Sequence, residues 1–232
     1  MQKEFKAKLL EEVPTGGNPV HPARLIVEAT KVIPDGAIYA ADGGSTTIYG
    51  WTYSQYKPKD LVWNQNTGQL GTGLPYAVGA ALATDAKRPV VFVTGDSSFL
   101  FSLNELETAV RKQLPIVTVV ACDYAWGLEV GVWKKQVGPD SPETEAHWSK
   151  GVRFDKIAEG FGAYGEYVEN EADIAPTVAA AIERAMAERK PVVIQVPVDA
   201  YANAMDAPNY EEFKSWYTDF KAGYGAEAED AY

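Results

Sequence analysis

Four short apolar runs without polar alternation constrain the fold of this chain most strongly. They are AIYAA (37–41), PVVFVTG (89–95), IVTVVA (116–121) and PVVIQVPV (191–198). A strand with one solvated face alternates apolar and polar residues, whereas a strand that is covered on both faces is apolar throughout. Helical patterns separate these runs. The sequence therefore predicts an α/β fold of three layers (α/β/α), doubly wound around a mostly parallel sheet.

The helical patterns are amphipathic and begin after a polar lead over residues 1–20. His21 and Pro22 begin the first helix, and its apolar face carries Leu25, Ile26, Ala29, Val32 and Ile33. Further helices are predicted over 74–83, 103–113, 154–163 and 172–190. The stretch 128–153 contains Gly-Pro-Asp-Ser-Pro, and we interpret it as a long connection that serves as a binding loop.

We divide the chain into the lead, a binding domain over 21–203 and an extension over 204–232. The extension contains NYEEFKSWYTDF, an aromatic segment that either packs across a surface as a helix or completes the chain's own core. It ends in GAEAEDAY, which we interpret as a solvated tail, with a partner-binding tail as the alternative.

Composition excludes several classes of function. The 232 residues include 21 basic and 32 acidic ones, a net charge of −11, which argues against a nucleic-acid binder. A single cysteine, Cys122, excludes an intramolecular disulfide and a multi-cysteine zinc site, and two histidines disfavour a histidine-rich metal site. No run approaches the roughly 18 apolar residues of a membrane helix. We therefore expect a cytoplasmic protein that binds neither membrane nor nucleic acid.

Three of the predicted strands end in loops that suit an anionic ligand. The loops are Asp42-Gly43-Gly44-Ser45-Thr46, Gly95-Asp96-Ser97-Ser98 and Cys122-Asp123-Tyr124-Ala125-Trp126-Gly127. Ligands of an open parallel sheet bind beyond the carboxyl ends of its strands. Glycine turns let backbone N–H groups approach an anion, and paired carboxylates suit Mg²⁺ that holds a phosphorylated ligand. The alternative is that Asp42, Asp96 and Asp123 only cap helices and form turns.

The segment from Gly95 to Gly127 carries a longer signature. Asp96 and Asp123 lie 27 positions apart in GDSSFLFSLNELETAVRKQLPIVTVVACDYAWG. This segment resembles the thiamine diphosphate (ThDP) enzymes of the acetolactate synthase and pyruvate decarboxylase superfamily, whose signature is Gly-Asp-Gly, a long spacer and Asn-Asn. NTGQLGTGLPYAVGAALA (66–83) and FDKIAEGFGAYG (154–165) are similar to two further segments of that superfamily. The resemblance covers about residues 20–200.

The resemblance implies ThDP and Mg²⁺ as cofactors. It implies that the metal ligands are the side chains of Asp96 and Asp123 and the carbonyl of Ala125. Leu70 would support the bent shape of the cofactor, and the backbone of Gly68 would contact the aminopyrimidine. The full cofactor-binding set that it implies is Gly43, Gly44, Ser45, Gly68, Gln69, Leu70, Gly95, Asp96, Ser97, Ser98, Asp123, Ala125 and Trp126.

The chain departs from the superfamily pattern within this signature. Gly-Asp-Gly is Gly-Asp-Ser here, a variant that the oxalyl-CoA decarboxylase and 2-hydroxyacyl-CoA lyase branch also shows, together with a similar F-x-F-S stretch. Asn-Asn is Cys122-Asp123. An aspartate keeps the oxygen ligand but adds a negative charge near the diphosphate. We expect Cys122 to be a small buried hydrophobe.

The resemblance also implies what the chain does. It matches only the last of the superfamily's three domains, and the activating glutamate belongs to the pyrimidine-binding domain. We therefore expect one subunit of a split enzyme, for example an α2β2 assembly, that cleaves or forms a carbon–carbon bond next to a carbonyl. The reaction types are 2-oxo acid decarboxylase, carboligase or 2-hydroxyacyl-CoA lyase, with a small-molecule substrate such as an acyl-CoA.

Two other interpretations stay open at this point. The first is a non-catalytic regulatory or binding subunit that keeps the fold without productive cofactor binding. The second, an unrelated nucleotide binder, is disfavoured because no G-x-x-x-x-G-K-S/T occurs, and the one G-x-G-x-x-G, at 160–165, lies at the end of a predicted helix rather than between a strand and a helix. Tyr124, Trp126 and Trp133 either line the substrate pocket or pack, and His147 either reaches the substrate or lies on the surface.

Overall fold

The computed structural model describes residues 2–63, 68–142, 145–208 and 210, with side chains from residue 7 onward. Its strands are β1 (Ile38–Ala41), β2 (Asp60–Val62), β3 (Val90–Gly95), β4 (Ile116–Cys122), β5 (Tyr164–Tyr167) and β6 (Val192–Pro197). Its helices are α1 (Gln2–Glu11), α2 (Pro22–Thr30), α3 (Gly44–Tyr53), α4 (Gly73–Ala83), α5 (Asp96–Leu100), α6 (Glu105–Arg111), α7 (Gly127–Val137), α8 (Phe154–Gly160) and α9 (Glu171–Glu188). A 3₁₀ turn follows at Ala204–Asp206.

The strands form one six-stranded sheet in the order β2-β1-β3-β4-β6-β5. Every neighbouring pair is parallel. The order reverses at β1, because the chain moves outward to β2 and then returns to place β3 on the other side of β1. Such a reversal leaves a crevice at the carboxyl ends of the two strands. The predicted α/β/α parallel fold is confirmed.

Residues alternate between the two faces of the sheet, and helices cover both faces. In β3, Val91 and Val93 pack in one buried cluster, whereas Val90 and Phe92 pack in the other. The first cluster includes buried residues of α2, α3 and α9, and the second includes residues of α4, α6 and α8. Because both faces are covered, the central strands are apolar along most of their length, for the reason anticipated from the sequence.

The predicted loop over 128–153 is wrong in its first part. Residues Gly127–Val137 form helix α7, in which only Val130 is fully buried. Gly127 and Gly131 interrupt the helical pattern, so the sequence shows no continuous apolar stripe there. The rest of that stretch, where the structure describes it, consists of turns and irregular segments with a single β-bridge at His147.

Other differences lie at the ends and the edge of the fold. The lead contains α1, and Leu9 in it is buried. The edge strand β2 was not predicted, because it has only three residues and two of them are exposed. Of the extension, the 3₁₀ turn and Tyr210 are described, and the rest of the aromatic and acidic segments lies outside the described residues. No helix within the described residues is both long and apolar enough to cross a membrane.

Candidate functional site

The sheet register brings the three predicted loops together. Gly95 of β3 lies opposite Ala121 of β4, so Asp96 and Asp123 leave the sheet at neighbouring strand ends. The turn after β1 adjoins them because Ala41 lies opposite Val93. A cavity of about 580 Å³ opens over these ends. Among the predicted site residues, those that line it are Gly43, Gly44, Ser45, Gly68, Leu70, Gly95, Asp96, Ser97, Asp123 and Ala125.

Three predicted residues lie around the cavity without lining it. Ser98 is buried in α5, and Gln69 lies between the lining residues Gly68 and Leu70. Trp126 makes edge-to-face contacts with Phe101 and Trp148, with ring centroids 5.6 and 6.1 Å apart. In this structure Trp126 therefore acts as a packing residue of the loop over 122–127.

The structure adds a second wall, of which the sequence had indicated only Trp133 as a possible lining residue. One face of α7 lines the cavity through Leu128, Glu129, Val132, Trp133 and Gln136. These positions have the i, i+4 spacing of a helix face, and this spacing was the available signal. Other lining residues outside the predicted set are Pro22, Thr46, Tyr49, Ala121, Gly127, Val198, Asp199, Ala202 and Tyr210. Trp133 thus faces the cavity, and its indole N–H also donates to the Pro142 carbonyl at 3.1 Å.

Asp96 and Asp123 form a coupled pair of carboxyl groups. Asp96 is 1% exposed and accepts hydrogen bonds from the backbone N–H groups of Ser97 and Tyr124, both at 2.8 Å. Asp123 accepts one from the Ala125 N–H at 3.0 Å. The two side chains also share a hydrogen bond with each other. The pair therefore sits side by side at the floor of the cavity.

Burial raises the pKa of both groups. The pKa of Asp96 lies well above its usual value because of desolvation and the neighbouring charge of Asp123. Desolvation raises the pKa of Asp123 to about 6, against the opposing effect of the Ala125 N–H. Two adjacent buried carboxylates are both charged only when a cation accompanies them. The pair therefore favours either a shared proton or a bound divalent cation.

A third oxygen ligand is available at Ala125. Ala125 and His147 face each other in an antiparallel bridge, whose hydrogen bonds run from Trp126 N–H to Ala146 O and from Trp148 N–H to Tyr124 O. These bonds leave out the carbonyl of Ala125, as in any non-hydrogen-bonded pair. Among the described residues no group of three or more His, Cys, Asp and Glu side chains is placed to hold a metal. A cation here would therefore complete its shell with a carbonyl, water or ligand oxygens.

The turn after β1 provides a cradle for an anion. Gly43 has a φ of +103°, and a Cβ there would lie 3.1 Å from the Gly95 nitrogen and 3.4 Å from the Ser98 hydroxyl oxygen. A Cβ on Gly44 would lie 2.9 Å from a methyl carbon of Leu128. The Ser98 hydroxyl is buried and makes no hydrogen bond. Side chains at 43 and 44 would fill the space that backbone N–H groups and this hydroxyl leave to a ligand.

Cys122 has the structural role that was predicted for it. It is fully buried at the end of β4, and burial raises the pKa of its thiol well above the usual value. Gln195 holds the loop that follows Cys122. Its amide nitrogen donates to the Tyr124 hydroxyl at 3.1 Å and to the Val152 carbonyl at 3.0 Å. Gln195 itself is fully buried. The loop over 122–127 is thereby attached to β6 and to the start of α8.

Gly127→Ala should weaken metal binding, because the added methyl group would lie 2.0 Å from the Asp123 Oδ2 and displace this carboxylate. We expect the affinity for Mg²⁺ in the presence of pyrophosphate to fall about three- to tenfold, as measured by calorimetry. Gly79→Ala in α4 is the matched control, because a methyl group there meets no atom within 4 Å. An unchanged Mg²⁺ affinity in Gly127→Ala would contradict the assignment of Asp123 as a ligand.

Comparisons with known proteins match this geometry. The family model described as "Thiamine pyrophosphate enzyme, C-terminal TPP binding domain" matches residues 42–196. Thiamine pyrophosphate is ThDP, so the predicted cofactor agrees with the family. The chain is 34% identical over 192 residues to an acetolactate synthase of Bacillus subtilis strain 168, covering 82% of this chain and 32% of that protein. It is 32% identical to a 2-hydroxyacyl-CoA lyase of Oryza sativa subsp. japonica, covering 87% and 34%.

A solved structure agrees as well. The thiamine diphosphate-dependent 4-hydroxybenzoylformate decarboxylase of Rhodococcus jostii RHA1 superposes with a TM-score of 0.70 at 27% identity, covering 84% of this chain and 35% of that one. The chain thus spans about a third of the length of the relatives that it matches. Because the family model covers residues 42–196, about two thirds of the chain with the glycine turn and the carboxylate pair, the chain belongs to the family of C-terminal TPP-binding domains of thiamine pyrophosphate enzymes.

Proposed function

We propose that this chain is the diphosphate- and magnesium-binding subunit of a ThDP-dependent enzyme that cleaves or forms a carbon–carbon bond next to a carbonyl. The observation that carries the proposal is the coupled pair Asp96 and Asp123 beside a glycine cradle with an unpaired, buried Ser98 hydroxyl. The ionised carboxylate pair favours a bound cation, and the glycine cradle leaves space for an anion. A magnesium diphosphate supplies both.

The residues of the cavity divide the work of holding the cofactor. Asp96, Asp123 and the Ala125 carbonyl would ligate Mg²⁺. Gly44, Ser45, Ser97 and Ser98 would donate to the diphosphate, and Gly43, whose N–H is bound to Asp42, would leave space for it. Leu70 and Gly68, which also line the cavity, would hold the thiamine end. When bound, the cofactor supplies the electron sink for breaking or forming the carbon–carbon bond. The chain's own contribution is to bind, orient and partly enclose the cofactor.

We propose further that the binding domain covers 21–203 and that a partner subunit supplies the pyrimidine-binding domain and the activating glutamate, for example in an α2β2 assembly. Large apolar side chains beside the cavity support a partner at this edge. Leu100 is 41% exposed and Phe101 is 60% exposed, and Phe101 lies directly against Gly71 of the loop that carries Leu70. Exposed apolar side chains of this size next to a ligand site suit a protein interface.

The substrate proposed is a small molecule that contains a carbonyl, with acyl-CoA thioesters among the candidates. The Gly-Asp-Ser signature supports an acyl-CoA substrate, since the sequence shares this signature with the 2-hydroxyacyl-CoA lyase branch. Similarity to acetolactate synthase supports 2-oxo acid chemistry. As part of the same proposal we place the protein in the cytoplasm, where its single cysteine, Cys122, stays a buried thiol.

Calorimetry tests the cofactor assignment. ThDP titrated into the protein, alone and in its native complex, should bind in the presence of Mg²⁺ and lose about 100-fold or more in affinity when EDTA removes the cation, because the carboxylate pair then repels the diphosphate. Pyrophosphate with Mg²⁺ should compete, whereas thiamine without phosphates should not. Absence of Mg²⁺-dependent binding in the native complex would disprove the proposal.

Native mass spectrometry of the protein from its own cells tests the subunit arrangement. The expected species contains this chain together with a second chain that bears a pyrimidine-binding domain. Separation of the two should abolish turnover of a 2-oxo acid or 2-hydroxyacyl-CoA, and remixing should restore it. A single longer polypeptide, or full turnover by this chain alone, would contradict the split arrangement while leaving the cofactor assignment intact.

A further inference from the structure

The carboxylate of Asp42 joins two separate parts of the cavity wall. It is 2% exposed, and one of its oxygens accepts from the Gly43 N–H at 2.7 Å. Its other oxygen accepts from the Gly71 N–H at 2.9 Å and from the Gly73 N–H at 2.8 Å. The first contact lies in the turn after β1, and the other two lie in the loop over 68–73 that leads into α4. A single buried side chain therefore attaches the loop to the turn.

The local sequence permits this attachment only with glycines in the loop. A Cβ on Gly73 would lie 2.7 Å from the Asp42 Cβ and 2.3 Å from a ring carbon of Phe92. Gly71 has a φ of +87°, and a Cβ there would lie 2.4 Å from the Phe101 Cβ. The backbone can approach Asp42 this closely because neither residue carries a side chain.

The three donors require a carboxylate rather than an amide. An ionised carboxylate accepts on both oxygens, whereas an asparagine accepts on one side and donates on the other. An asparagine at position 42 would therefore turn a donor toward either the Gly43 N–H or the pair of loop N–H groups. The contact to one of the two segments would be lost in either orientation.

We propose that Asp42 is a positioning residue that sets the distance between the diphosphate turn and the loop carrying Gly68 and Leu70, so that one ThDP molecule engages both. This inference rests on the proposed function. The turn contributes Gly43, Gly44 and Ser45 to the cavity wall, and the loop contributes Gly68 and Leu70. Asp42 touches neither the cofactor nor the metal; it acts through the two segments that do.

A ligand that spans two segments gains from their fixed separation. When both ends are held in place beforehand, binding of the second end loses little entropy. When the loop is free to move, the thiamine end adds less affinity to the diphosphate end. The quantity that reports on Asp42 is therefore the ratio of the affinity for ThDP to the affinity for pyrophosphate, each measured with Mg²⁺.

The test compares the parent with Asp42→Asn by calorimetry. The ratio of ThDP to pyrophosphate affinity should fall about tenfold, which is the effect expected when a buried acceptor of charged hydrogen bonds is lost. A purely structural role would weaken both ligands by the same factor and leave the ratio unchanged. Asp155→Asn is the matched control, because Asp155 is also 2% exposed but its carboxylate binds Arg153 rather than the turn or the loop over 68–73. Its ratio should stay at the parent value.

A double-mutant cycle with Leu70→Ala tests the route of the effect. In the parent background Leu70→Ala should lower ThDP affinity and spare pyrophosphate. In the Asp42→Asn background the factor by which Leu70→Ala lowers ThDP affinity should be about threefold smaller, since the loop no longer holds Leu70 against the cofactor. Additive effects would show that Asp42 does not act through the loop.

Amide hydrogen exchange tests the role of Asp42 without the variant and without the cofactor. In the cofactor-free parent the Gly71 and Gly73 amides should exchange at least about 100-fold more slowly than in an unfolded chain, because a buried carboxylate holds them. Rapid exchange of both would overturn the proposal even if Asp42→Asn failed to fold. If the parent itself binds no ThDP, the proposed function fails; if it binds and the ratio is unchanged, only the role of Asp42 fails.

Discussion

Asp96→Asn should lower the Mg²⁺-dependent affinity for ThDP by about 100-fold, or about 2.8 kcal/mol. The substitution removes a full negative charge from Asp96, the more buried member of the carboxylate pair, which is 1% exposed. Low solvent access strengthens the attraction between a carboxylate and a dication. Calorimetry with ThDP at a fixed, saturating Mg²⁺ concentration measures the loss.

The matched control separates loss of the ligand from damage to the fold. Asp96 accepts from two backbone N–H groups, so Asp96→Asn also disturbs the start of α5 and the loop after β4. Asp155→Asn removes an equally buried charge that pairs with Arg153 away from the cavity. Asp155→Asn should lose stability in thermal unfolding but keep its ThDP affinity, whereas Asp96→Asn should lose ThDP affinity.

The outcome also decides whether the chain is a working part of the enzyme or the non-catalytic subunit that the sequence left as an alternative. If Asp96→Asn abolishes turnover of the native complex together with cofactor binding, the chain is a working part of the enzyme. A complex whose activity is unchanged in Asp96→Asn would instead identify the chain as a non-catalytic subunit that retains the fold. The additional charge of Asp123 is the feature that makes this second outcome a serious alternative.

The sequence predicted the parts of the site that follow from strands. Short apolar runs identify β1, β3 and β4, and in a parallel sheet the residues after each strand must meet at one edge. The strand pattern alone therefore places Asp96 and Asp123 close together in space, although they are 27 positions apart in the chain. The lining of the cavity by the residues of the 43–45 turn follows from the same argument.

The parts that could not be predicted depend on contacts between segments without periodic patterns. Helix α7 carries two glycines and little buried surface, so its cavity face emerged only from the fold. Asp42 binds backbone groups 29 and 31 positions away, and no feature of the sequence relates a carboxylate to distant N–H groups. The shared hydrogen bond between Asp96 and Asp123 likewise depends on side-chain directions that spacing does not fix.

The second large effect concerns pH: the metal-free protein should lose stability as the pH rises through about 6. The pKa of Asp123 is raised from 3.8 to about 6, so the folded chain holds this proton more tightly than the unfolded chain does. Stability gained from that proton is fully present below the unfolded pKa and is lost above the folded one. Between about pH 5 and about pH 7.5 the loss is on the order of 1 kcal/mol, and Asp96 changes stability in the same direction.

Asp123→Asn isolates this effect, since the asparagine keeps an oxygen ligand and carries no titrating proton. The variant should be more stable than the parent in EDTA at about pH 7.5, and this difference should shrink toward about pH 5. Denaturant unfolding at a series of pH values measures both curves. Other titrating groups affect parent and variant alike, so the difference between the curves reports on the carboxylate pair.

At neutral pH, Mg²⁺ should make the parent more stable than Asp123→Asn, which is the reverse of their order in EDTA. A cation that binds only the folded state stabilises it in proportion to its affinity, and the parent offers it one more charge than Asp123→Asn does. Because Mg²⁺ must displace the shared proton, the parent's affinity should fall about tenfold per pH unit below about 6, while that of the variant should change less. Equal Mg²⁺ stabilisation of parent and variant at every pH would show that the cation does not bind at the carboxylate pair.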